Sequence, residues 1–467
     1  MAMRLTLFSL LFLPTLLAEE AVWFRHDFGV VDGKPLPDSF DEGGLVWRTP
    51  VDSGISSPCV CGNRIFLTTF QKEKEELATI CLDRRTGHIV WKRIVDTNRI
   101  EPVHPVGSPA ASTPACNGTH VYSFFGSYGL LCHTVDGELI WKKPLGPFQD
   151  EFGASSSPIL VDDMVILNED HDVDCFLVAF DRETGDVRWR VPRDGFTRSY
   201  STPILVEQNN QRSLVVAGSL QLTGYDVRTG DTQWWVRGLS RIVDPTPVVA
   251  NGRIFIATQT AGGDATNRIS MESFEDALKK HDKNNDEHLG KNELPQGAVL
   301  TRFFRIDLDQ DQKLSRSEWN YHASVFERAQ NQALSIKAGG TGDITESGIT
   351  WKYRKGLPTV PSSVVYQDVM YMIKDSGIIT SLDANTGELL QQGRSRGPGN
   401  YYASLMAGDG KVYLASERGV ITILNSGRTW SILDSHDFKE RILATPAIRD
   451  GRIYVRTDNA LYCFEAK

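Results

Sequence analysis

Residues 179–189 read AFDRETGDVRW, and this pattern of an Asp, a Thr-Gly pair three residues later and an aromatic residue four positions after the glycine recurs along the chain. The Asp side chain can accept hydrogen bonds from backbone N–H groups across the turn, and the glycine supplies the positive φ of a bulged hairpin. Each copy therefore predicts two antiparallel strands, the second carrying a large side chain on an outer strand. The other copies are CLDRRTGHIVW (81–91), GYDVRTGDTQW (224–234), SLDANTGELLQ (381–391) and the shorter CHTVDGELIW (132–141).

Two markers set the period of the repeat. The aromatic slots are Trp47, Trp91, Trp141, Trp189, Trp234, Trp351, Leu390 or Gln391, and Trp430. Each slot is followed by a Ser or Thr, usually before Pro: Ser57, Thr113, Ser157, Thr202, Thr246, Ser362, Ser404 and Thr445. The residue after this marker recurs at spacings of 56, 44, 45, 44, 116, 42 and 41. With Asn-Gly and Asp-Gly turns between the markers, each unit predicts four short strands, and such a period is typical of a propeller blade.

The predicted fold class is thus all-β, an eight-bladed β-propeller of four-stranded blades. The last unit stops before its own Trp strand, whereas the strand around Trp47 has no unit before it. The two chain ends are expected to complete one blade and to remove an exposed sheet edge. The alternative is that the motifs are unrelated hairpins of a sandwich.

The D-x-x-T-G-x-x-x-W signature resembles that of the PQQ-binding-like β-propeller repeat proteins, which include BamB-like assembly factors and quinoprotein dehydrogenases. With its weaker copies the resemblance covers nearly all of the chain outside one insertion. It implies the propeller fold and, for function, either a non-catalytic scaffold or a PQQ-dependent oxidoreductase acting on alcohols or sugars. The chain has neither the adjacent Cys-Cys pair that covers PQQ in the alcohol-dehydrogenase branch nor a C-x-x-C-H haem motif, so we expect no PQQ. A BamB-like role is not assigned, because the lipoprotein Cys is missing.

The spacing of 116 exceeds one blade by about 70 residues, and two twelve-residue loops, 282–293 and 307–318, lie in the excess. Oxygen ligands at these intervals can wrap one calcium ion, and the pair resembles two EF-hands with helical flanks. The sixth position, normally Gly, is Glu287 or Gln312, so we expect modest affinity. The alternative is an acidic solvated insert that binds no metal. The predicted ligands are Asp282, Asn284, Asp286, the His288 carbonyl and Glu293, then Asp307, Asp309, Asp311, the Lys313 carbonyl and Glu318.

Composition limits the protein class. With 40% hydrophobic residues the chain is not disordered, and a net charge of −9 argues against nucleic acid as the main partner. A basic start and an apolar run predict a signal peptide, and hence a periplasmic or secreted protein without a transmembrane segment. The seven cysteines are expected to be mostly small buried thiols, not a disulfide framework. The predicted organisation is a signal peptide (1–18), a first propeller part (44–263), the EF-hand pair (264–333) and a second propeller part (334–467).

The densest acid and His group outside the calcium loops is Asp170, His171, Asp172 and Asp174. Strand order places it in a loop on the propeller face that also bears the insert. Carboxylates around an imidazole can bind a cation or raise the imidazole pKa for proton transfer. The simpler alternative, which we favour, is a solvated turn. The residues predicted nearby on this candidate ligand-binding face are Arg198, Tyr200, Arg241 and Tyr401.

Three functional hypotheses follow. The first is an exported non-catalytic propeller that binds a protein, a glycan or a small molecule on this face and carries a calcium-stabilised module. The second is the quinoprotein oxidoreductase. A hydrolase using His171 with a carboxylate is a third, but the chain has no G-x-S-x-G elbow or H-E-x-x-H motif.

Overall fold

The computed structural model describes residues 21–208, 211–261 and 270–467; the predicted signal peptide and the start of the predicted insertion lie outside these residues. The described chain forms eight antiparallel sheets of four consecutive or nearly consecutive strands, one of which gains a short fifth strand. The innermost strands of several neighbouring sheets contact one another around the central axis. The predicted eight-bladed β-propeller is confirmed.

Blades one to four follow the first strand without interruption. The first strand is β1 (Leu45–Pro50). Blade one comprises β2 (Cys59–Cys61), β3 (Arg64–Gln71), β4 (Glu76–Asp83) and β5 (Ile89–Ile94), with a 3-10 turn at Lys72–Lys74. Blade two comprises β6 (Ala115–Cys116), β7 (His120–Phe125), β8 (Gly129–Thr134) and β9 (Leu139–Pro144). Blade three comprises β10 (Ile159–Val161), β11 (Met164–Glu169), β12 (Phe176–Asp181) and β13 (Val187–Pro192). Blade four comprises β14 (Ile204–Gln208), β15 (Gln211–Gly218), β16 (Gln221–Asp226) and β17 (Thr232–Arg237).

Blade five contains the insertion. It begins with β18 (Val248–Ala250) and β19 (Arg253–Thr258) and resumes with β22 (Gln332–Ile336) and β24 (Ile349–Tyr353). The segment between β19 and β22 holds α1 (Phe274–His281), β20 (Leu289–Gly290), α2 (Ala298–Thr301), α3 (Phe303–Ile306), β21 (Lys313–Leu314) and α4 (Arg316–Arg328). The predicted insertion (264–333) therefore interrupts the loop between the second and third strands, and β22 begins two residues inside it. Before β24, strand β23 (Gly342–Asp343) pairs parallel with β17, and α5 (Thr345–Gly348) follows it.

The remaining blades are regular, and the chain ends close the ring. Blade six comprises β25 (Val364–Tyr366), β26 (Val369–Lys374), β27 (Ile378–Asp383) and β28 (Leu389–Arg394). Blade seven comprises β29 (Met406–Gly408), β30 (Lys411–Ala415), β31 (Val420–Asn425) and β32 (Ile432–Asp437). Blade eight comprises β33 (Ala447–Arg449), β34 (Arg452–Arg456) and β35 (Ala460–Glu465), and β1 is its outer strand, with Trp47 opposite Cys463. The predicted closure of one blade by both chain ends is confirmed.

The recurring tryptophans join neighbouring blades. The indole Nε1 of Trp141 donates to the carbonyl of Arg182 in the next Asp-Thr-Gly turn at 3.0 Å. The turn glycine, Gly185, lies beneath that indole, and a Cβ placed there would sit 2.7 Å from the ring. Trp47, Trp91, Trp189 and Trp351 make the same kind of indole bond to the following blade. Within its own blade each of these tryptophans faces a small residue across the strand pair, as Trp189 faces Ala179. The repeat motif thus encodes a contact between blades.

Two tryptophans depart from this rule. Trp234 has the insertion-bearing blade after it, and its indole instead donates to Ser213 within its own blade at 3.2 Å. Trp430 was predicted to lie in an outer strand, but β32 begins two residues after it. It packs on blade six, where Gln391 occupies the aromatic slot, and its indole donates to Ser381 at 3.1 Å. Trp430 therefore supplies the ring that blade six lacks.

The Ser and Thr markers form a hydrogen-bonded ring around the axis. Between successive markers from Ser57 to Thr445, the backbone N–H of one donates to the side-chain hydroxyl of the next, at 2.9–3.3 Å. Seven of these bonds run from Ser57 round to Thr445 in the described chain. Ser and Thr are required here because an apolar side chain would leave a buried N–H without an acceptor.

Residues 21–31 cross one end of the central channel. Val22 pairs with Cys116 of blade two, and Val30 pairs with Ala407 of blade seven. Between them the buried Arg25 donates to the carbonyls of Leu405 and Ser363 at 2.6 and 2.7 Å. The segment closes the channel on the face that carries the Asn-Gly turns. The repeat pattern gave no role to this segment.

The expectation that the cysteines are mostly buried thiols is confirmed, with one disulfide as the exception. Cys61 and Cys116, on the inner strands of blades one and two, form a disulfide. Their positions in neighbouring blades bring the Cα atoms within 6.3 Å, which the chain separation of 55 residues conceals. The other five cysteines are buried free thiols, as predicted.

Substituting Gly185 with Ala should destabilise the protein more than substituting Gly252. Both glycines have a similar positive φ, +70° and +67°, but only Gly185 lies against a neighbouring side chain. The backbone strain of about 1 kcal/mol is common to both variants. The clash with Trp141 should raise the total for Gly185→Ala to about 2–4 kcal/mol.

Tm values from calorimetry and urea midpoints measure the two losses. Equal losses in both variants would show that the contact between the turn and the indole does not hold the blades together.

Candidate functional site

The central channel encloses a cavity of about 640 Å³. All eight Ser and Thr markers line it, together with Phe24 of the segment that crosses the channel. Its wall also carries aromatic and charged side chains from the loops of several blades and from the insert. These are Phe152, Tyr200, Arg241, Asp244, Arg305, Asp375 and Tyr402.

The predicted acid and His cluster is largely buried, which differs from the solvated turn that we favoured. Asp170, His171 and Asp172 are each 2% exposed, whereas Asp174 is exposed. The loop is buried because β11 and β12 diverge there beneath neighbouring loops, and Phe148 stacks on the imidazole with ring centroids 3.9 Å apart. Sequence alone could not show that another loop covers these charges.

His171 is held between two carboxylates. Its Nδ1 lies 3.3 Å from Asp150, and its Nε2 lies 2.8 Å from Glu169. Burial lowers the pKa of His171, but the two carboxylates outweigh it and raise the pKa to about 10. Burial raises the pKa of Glu169 to about 7, against the effect of His171. Asp150, Glu169 and His171 do not line the cavity, and the link to it is the hydrogen bond from the Tyr200 hydroxyl to Asp150. The cluster is therefore a buried charge network and not an exposed acid–base pair.

The buried carboxyl group of Glu101 lies near this network. Its side chain is buried, and neither of its oxygens has a hydrogen-bond partner. Burial, with a further contribution from Asp150, raises its pKa to about 8. Burial therefore favours the protonated acid at this position, because an isolated buried carboxylate is very unfavourable.

Buried arginines neutralise the aspartates of the loop. Arg193 holds Asp170 with two bonds of 2.7 and 2.8 Å. Arg198 holds Asp172 in the same two-bonded way, one of the bonds being 3.0 Å, and also contacts Glu151 at 3.2 Å. Two-bonded Arg–carboxylate pairs fix orientation as well as charge, so these pairs hold the loop in place.

The insert is joined to this network through Glu151. Arg305 of α3 donates to Glu151 at 3.1 and 3.2 Å. Gln149 donates to the carbonyl of Leu308, and Tyr321 of α4 contacts Thr197 at 2.8 Å. The helices of the insert therefore pack on the same propeller face as the acid and His loop.

The remaining predicted face residues divide into two groups. Tyr200 and Arg241 line the cavity, and the Tyr200 hydroxyl donates to Asp150 at 2.8 Å. Tyr401 is fully buried and donates to the carbonyl of Gly397 at 3.1 Å, whereas its neighbour Tyr402 lines the cavity. Arg305 also lines the cavity, but it was not named from the sequence because it belongs to no recognisable motif.

The two twelve-residue loops have matching geometry. In the first, Glu293 at the twelfth position accepts a bond from the N–H of Lys283 at 3.0 Å; in the second, Glu318 accepts from Leu308 at 2.7 Å. The sixth residues, Glu287 and Gln312, both have positive φ, +60° and +70°. Leu289 pairs with Leu314 in a two-stranded sheet between the loops.

The acidic side chains of the second loop converge. One oxygen each from Asp307, Asp309 and Asp311 lies within 4.8 Å of the others. Asp307 Oδ1 is buried and has no hydrogen-bond partner, so it is an oxygen atom that remains available as a metal ligand. In the first loop, Lys313 instead bonds Asp286 at 2.7 Å. The donor set, carboxylates with backbone carbonyls, is the one that calcium prefers.

The cavity lining does not fit the covered quinone site of the alcohol-dehydrogenase branch. Among the described lining residues there is no tryptophan and no cysteine. The disulfide lies in the core between blades one and two, and the recurring tryptophans lie between blades. The cavity therefore offers no sulfur cover and no indole floor for a flat cofactor.

Comparisons with known proteins agree on the architecture. A family model described as outer membrane protein assembly factor BamB matches residues 74–273. No curated protein sequence matches the chain. Among solved structures, BamB from Moraxella catarrhalis is similar at 13% identity and a TM-score of 0.55, over 90% of this chain and 99% of that one.

Two other solved structures are similar in the same way. The quinohemoprotein alcohol dehydrogenase ADHIIG from Pseudomonas putida HK5 has 12% identity and a TM-score of 0.56, over 94% of this chain and 79% of that one. The computationally designed Ika8 protein has 11% identity and a TM-score of 0.54, over 93% and 100%. At such identities the likeness shows the fold alone. None of the helices in the described residues is long and apolar enough to cross a membrane.

Replacing Glu101 with Gln should make the protein less sensitive to alkali. The pKa of Glu101 is about 8 in the folded state and 4.5 in its ordinary environment, so the folded state holds the proton more tightly. The contribution of this group to the free energy of unfolding is therefore fully present below about pH 4.5 and is lost as the pH rises through 8. The expected loss in the wild type approaches 1.4 kcal/mol per pH unit in this window. Glutamine imitates the protonated acid and should remove this component.

Tm measured from pH 5 to 9 tests this expectation, with the exposed Glu388→Gln as the control. If Glu101→Gln loses stability with pH as steeply as the wild type, Glu101 is not the protonated group.

Proposed function

We propose that this PQQ-like β-propeller is an exported, non-catalytic binding protein that holds calcium in an inserted EF-hand pair and a ligand in its axial cavity. Export rests on the sequence of residues 1–18, with its basic start and apolar run. The binding role rests on a cavity of about 640 Å³, a size typical of small-molecule sites.

The calcium assignment is supported above all by one observation, a buried carboxylate oxygen of the second loop that has no hydrogen-bond partner. Asp307 Oδ1 is buried without a hydrogen-bond partner beside the oxygens of Asp309 and Asp311. Three carboxylates held this close repel one another, and a divalent cation would relieve both the repulsion and the missing contact. The carbonyl of Lys313 and the carboxylate of Glu318 would complete the ligand set.

The first loop is expected to be the weaker site. Lys313 already neutralises Asp286, and a cation would have to displace it. The other donors there would be Asp282, Asn284, Glu293 and the His288 carbonyl.

The calcium module is proposed to be structural. Arg305 and Leu308, at the start of the second loop, bond to Glu151 and Gln149 of the propeller. A cation that fixes this loop would therefore also fix the contact between the insert and the propeller face. This supports a stabilising role over a switch that opens a groove for a partner.

The second candidate function is a PQQ-dependent oxidoreductase. It is favoured by the likeness in fold to the quinohemoprotein alcohol dehydrogenase. The absence of tryptophan and cysteine from the described cavity lining argues against it. Reconstitution with PQQ is expected to give no quinone absorbance and no dye reduction with alcohols or sugars, and a stoichiometric, active complex would overturn the non-catalytic assignment.

Calcium binding is tested with the double variant Glu293→Gln and Glu318→Gln. Removing the carboxylate at the twelfth position of both loops should weaken binding at least tenfold, because these side chains supply charge and two oxygens each. Isothermal titration calorimetry with calcium alone measures the change. The matched control is Glu275→Gln with Glu327→Gln, two exposed carboxylates on α1 and α4 outside the loops.

The opposite change should tighten binding. Glu287→Gly and Gln312→Gly remove strain of about 1 kcal/mol at each positive φ, which corresponds to about fivefold in affinity per loop.

Indistinguishable isotherms for the wild type and the Glu293/Glu318 variant would remove the metal assignment.

The cavity is tested by filling it. Ser155 lines the cavity, and Ser155→Trp should block entry without altering the Ser and Thr ring. Native mass spectrometry of the purified protein is expected to show a bound ligand in the wild type and none in Ser155→Trp. The same ligand in both proteins would place it outside the cavity.

A further inference from the structure

We infer that the axial cavity binds an oxyanion-rich ligand, a polycarboxylate or a phosphate ester, between Arg241 of the propeller and Arg305 of the insert. The inference rests on the proposed use of the cavity as a binding site, and it adds the chemical class of the ligand. It does not depend on calcium.

Arg241 is the central observation. Its side chain is 7% exposed, and its Nε donates to the carbonyl of Ala261 at 3.0 Å. Within the described residues its guanidinium forms no ion pair, and its two terminal nitrogens donate no hydrogen bond to the protein, although the residue lines the cavity. The guanidinium carbon lies 5.8 Å from the ring centroid of Phe326. Every other arginine of this region with so little exposure, Arg193 and Arg198, holds an aspartate with two bonds. A buried, unpaired guanidinium is unfavourable, so the structure leaves a charge for a ligand to neutralise.

The surroundings of Arg241 are also positive. Burial lowers its pKa to about 10, and Arg305, Arg198 and Arg302 add to this effect. Arg198 and Arg305 share the single carboxylate of Glu151, and the buried Nε of Arg302 has no partner. Arg198, Arg302 and Arg305 therefore lie close enough to Arg241 to act on its charge, where α3 meets the propeller.

His322 of α4 and Asp244 lie close to these arginines. Both ring nitrogens of His322 are buried without partners, and burial together with the nearby arginines lowers its pKa to about 3. Asp244 lines the cavity, and burial, followed by Asp150 and Asp375, raises its pKa to about 7. A carboxyl that takes up a proton so easily can donate a hydrogen bond to an anion.

The opposite end of the cavity is also rich in donors. Each marker hydroxyl that takes part in the ring accepts a backbone N–H, and in the described chain none of these hydroxyls donates to a protein acceptor. Because these residues line the cavity, their O–H groups are free to point into it. A ligand that spans the cavity thus meets hydroxyl donors at one end and guanidinium donors at the other. An oxyanion can accept hydrogen bonds from the donors at both ends.

Titration with citrate and with inorganic phosphate at constant ionic strength tests the inference. We expect saturable binding of at least one of them to the full protein, weakened about tenfold or more in Arg241→Gln and in Arg305→Gln. Arg394→Gln, an exposed arginine on β28, is the control and should bind as the wild type does. Arg241→Lys, which keeps the charge, should restore part of the affinity if Arg241→Gln retains the Tm of the wild type.

Two outcomes would overturn the inference. One is no saturable binding of either anion, or equal binding by the wild type and Arg241→Gln. The other is a co-purifying ligand that Ser155→Trp releases and Arg241→Gln retains, which would keep the cavity as a binding site and exclude an anion. If Ser155→Trp leaves anion binding unchanged, the anion binds outside the axial cavity, and the proposal that the cavity is the binding site is contradicted.

Discussion

The contact between each recurring indole and the Thr-Gly turn of the next blade is the interaction on which the propeller depends. A blade has one apolar face toward each neighbour, and the indole covers that face and bonds the turn, as Trp141 does with Gly185 and the carbonyl of Arg182. Only glycine can lie beneath the ring, because the turn needs a positive φ and no space remains for a Cβ. Two tryptophans depart from this rule: Trp234 donates within its own blade, and Trp430 supplies the ring where blade six has Gln391.

With the outer contacts fixed by indoles, the inner strands can place polar groups toward the axis. The Ser and Thr ring satisfies the N–H groups of the inner turns and leaves its hydroxyl protons to the cavity. The segment that carries Phe24 and Arg25 closes one end. A propeller channel therefore becomes a closed-bottomed cavity that opens toward the loops and the insert, and this geometry gives the proposed ligand site its donors.

Burial of charge links this cavity to the insert. Asp170 and Asp172 are neutralised by Arg193 and Arg198, and Glu151 bridges Arg198 to Arg305 of the insert. Such buried pairs fix orientation more than they stabilise the fold, because desolvation offsets much of the attraction. They hold the insert on the face that bears the cavity. Arg241, with no such partner, marks the place where this neutralisation is incomplete.

The sequence by itself determined the number of blades, the closure of the last blade by both chain ends and the position of the two twelve-residue loops. These features depend on residues close in the chain or on a repeated spacing, so a pattern such as D-x-x-T-G-x-x-x-W reports them. Only the tertiary structure decided that the loop around His171 is buried, that Cys61 pairs with Cys116, that residues 21–31 cross the channel, and that Arg241 and Arg305 reach one cavity. The physical reason is that burial, pairing and charge balance depend on which distant segments cover a residue, and ring closure brings those segments together.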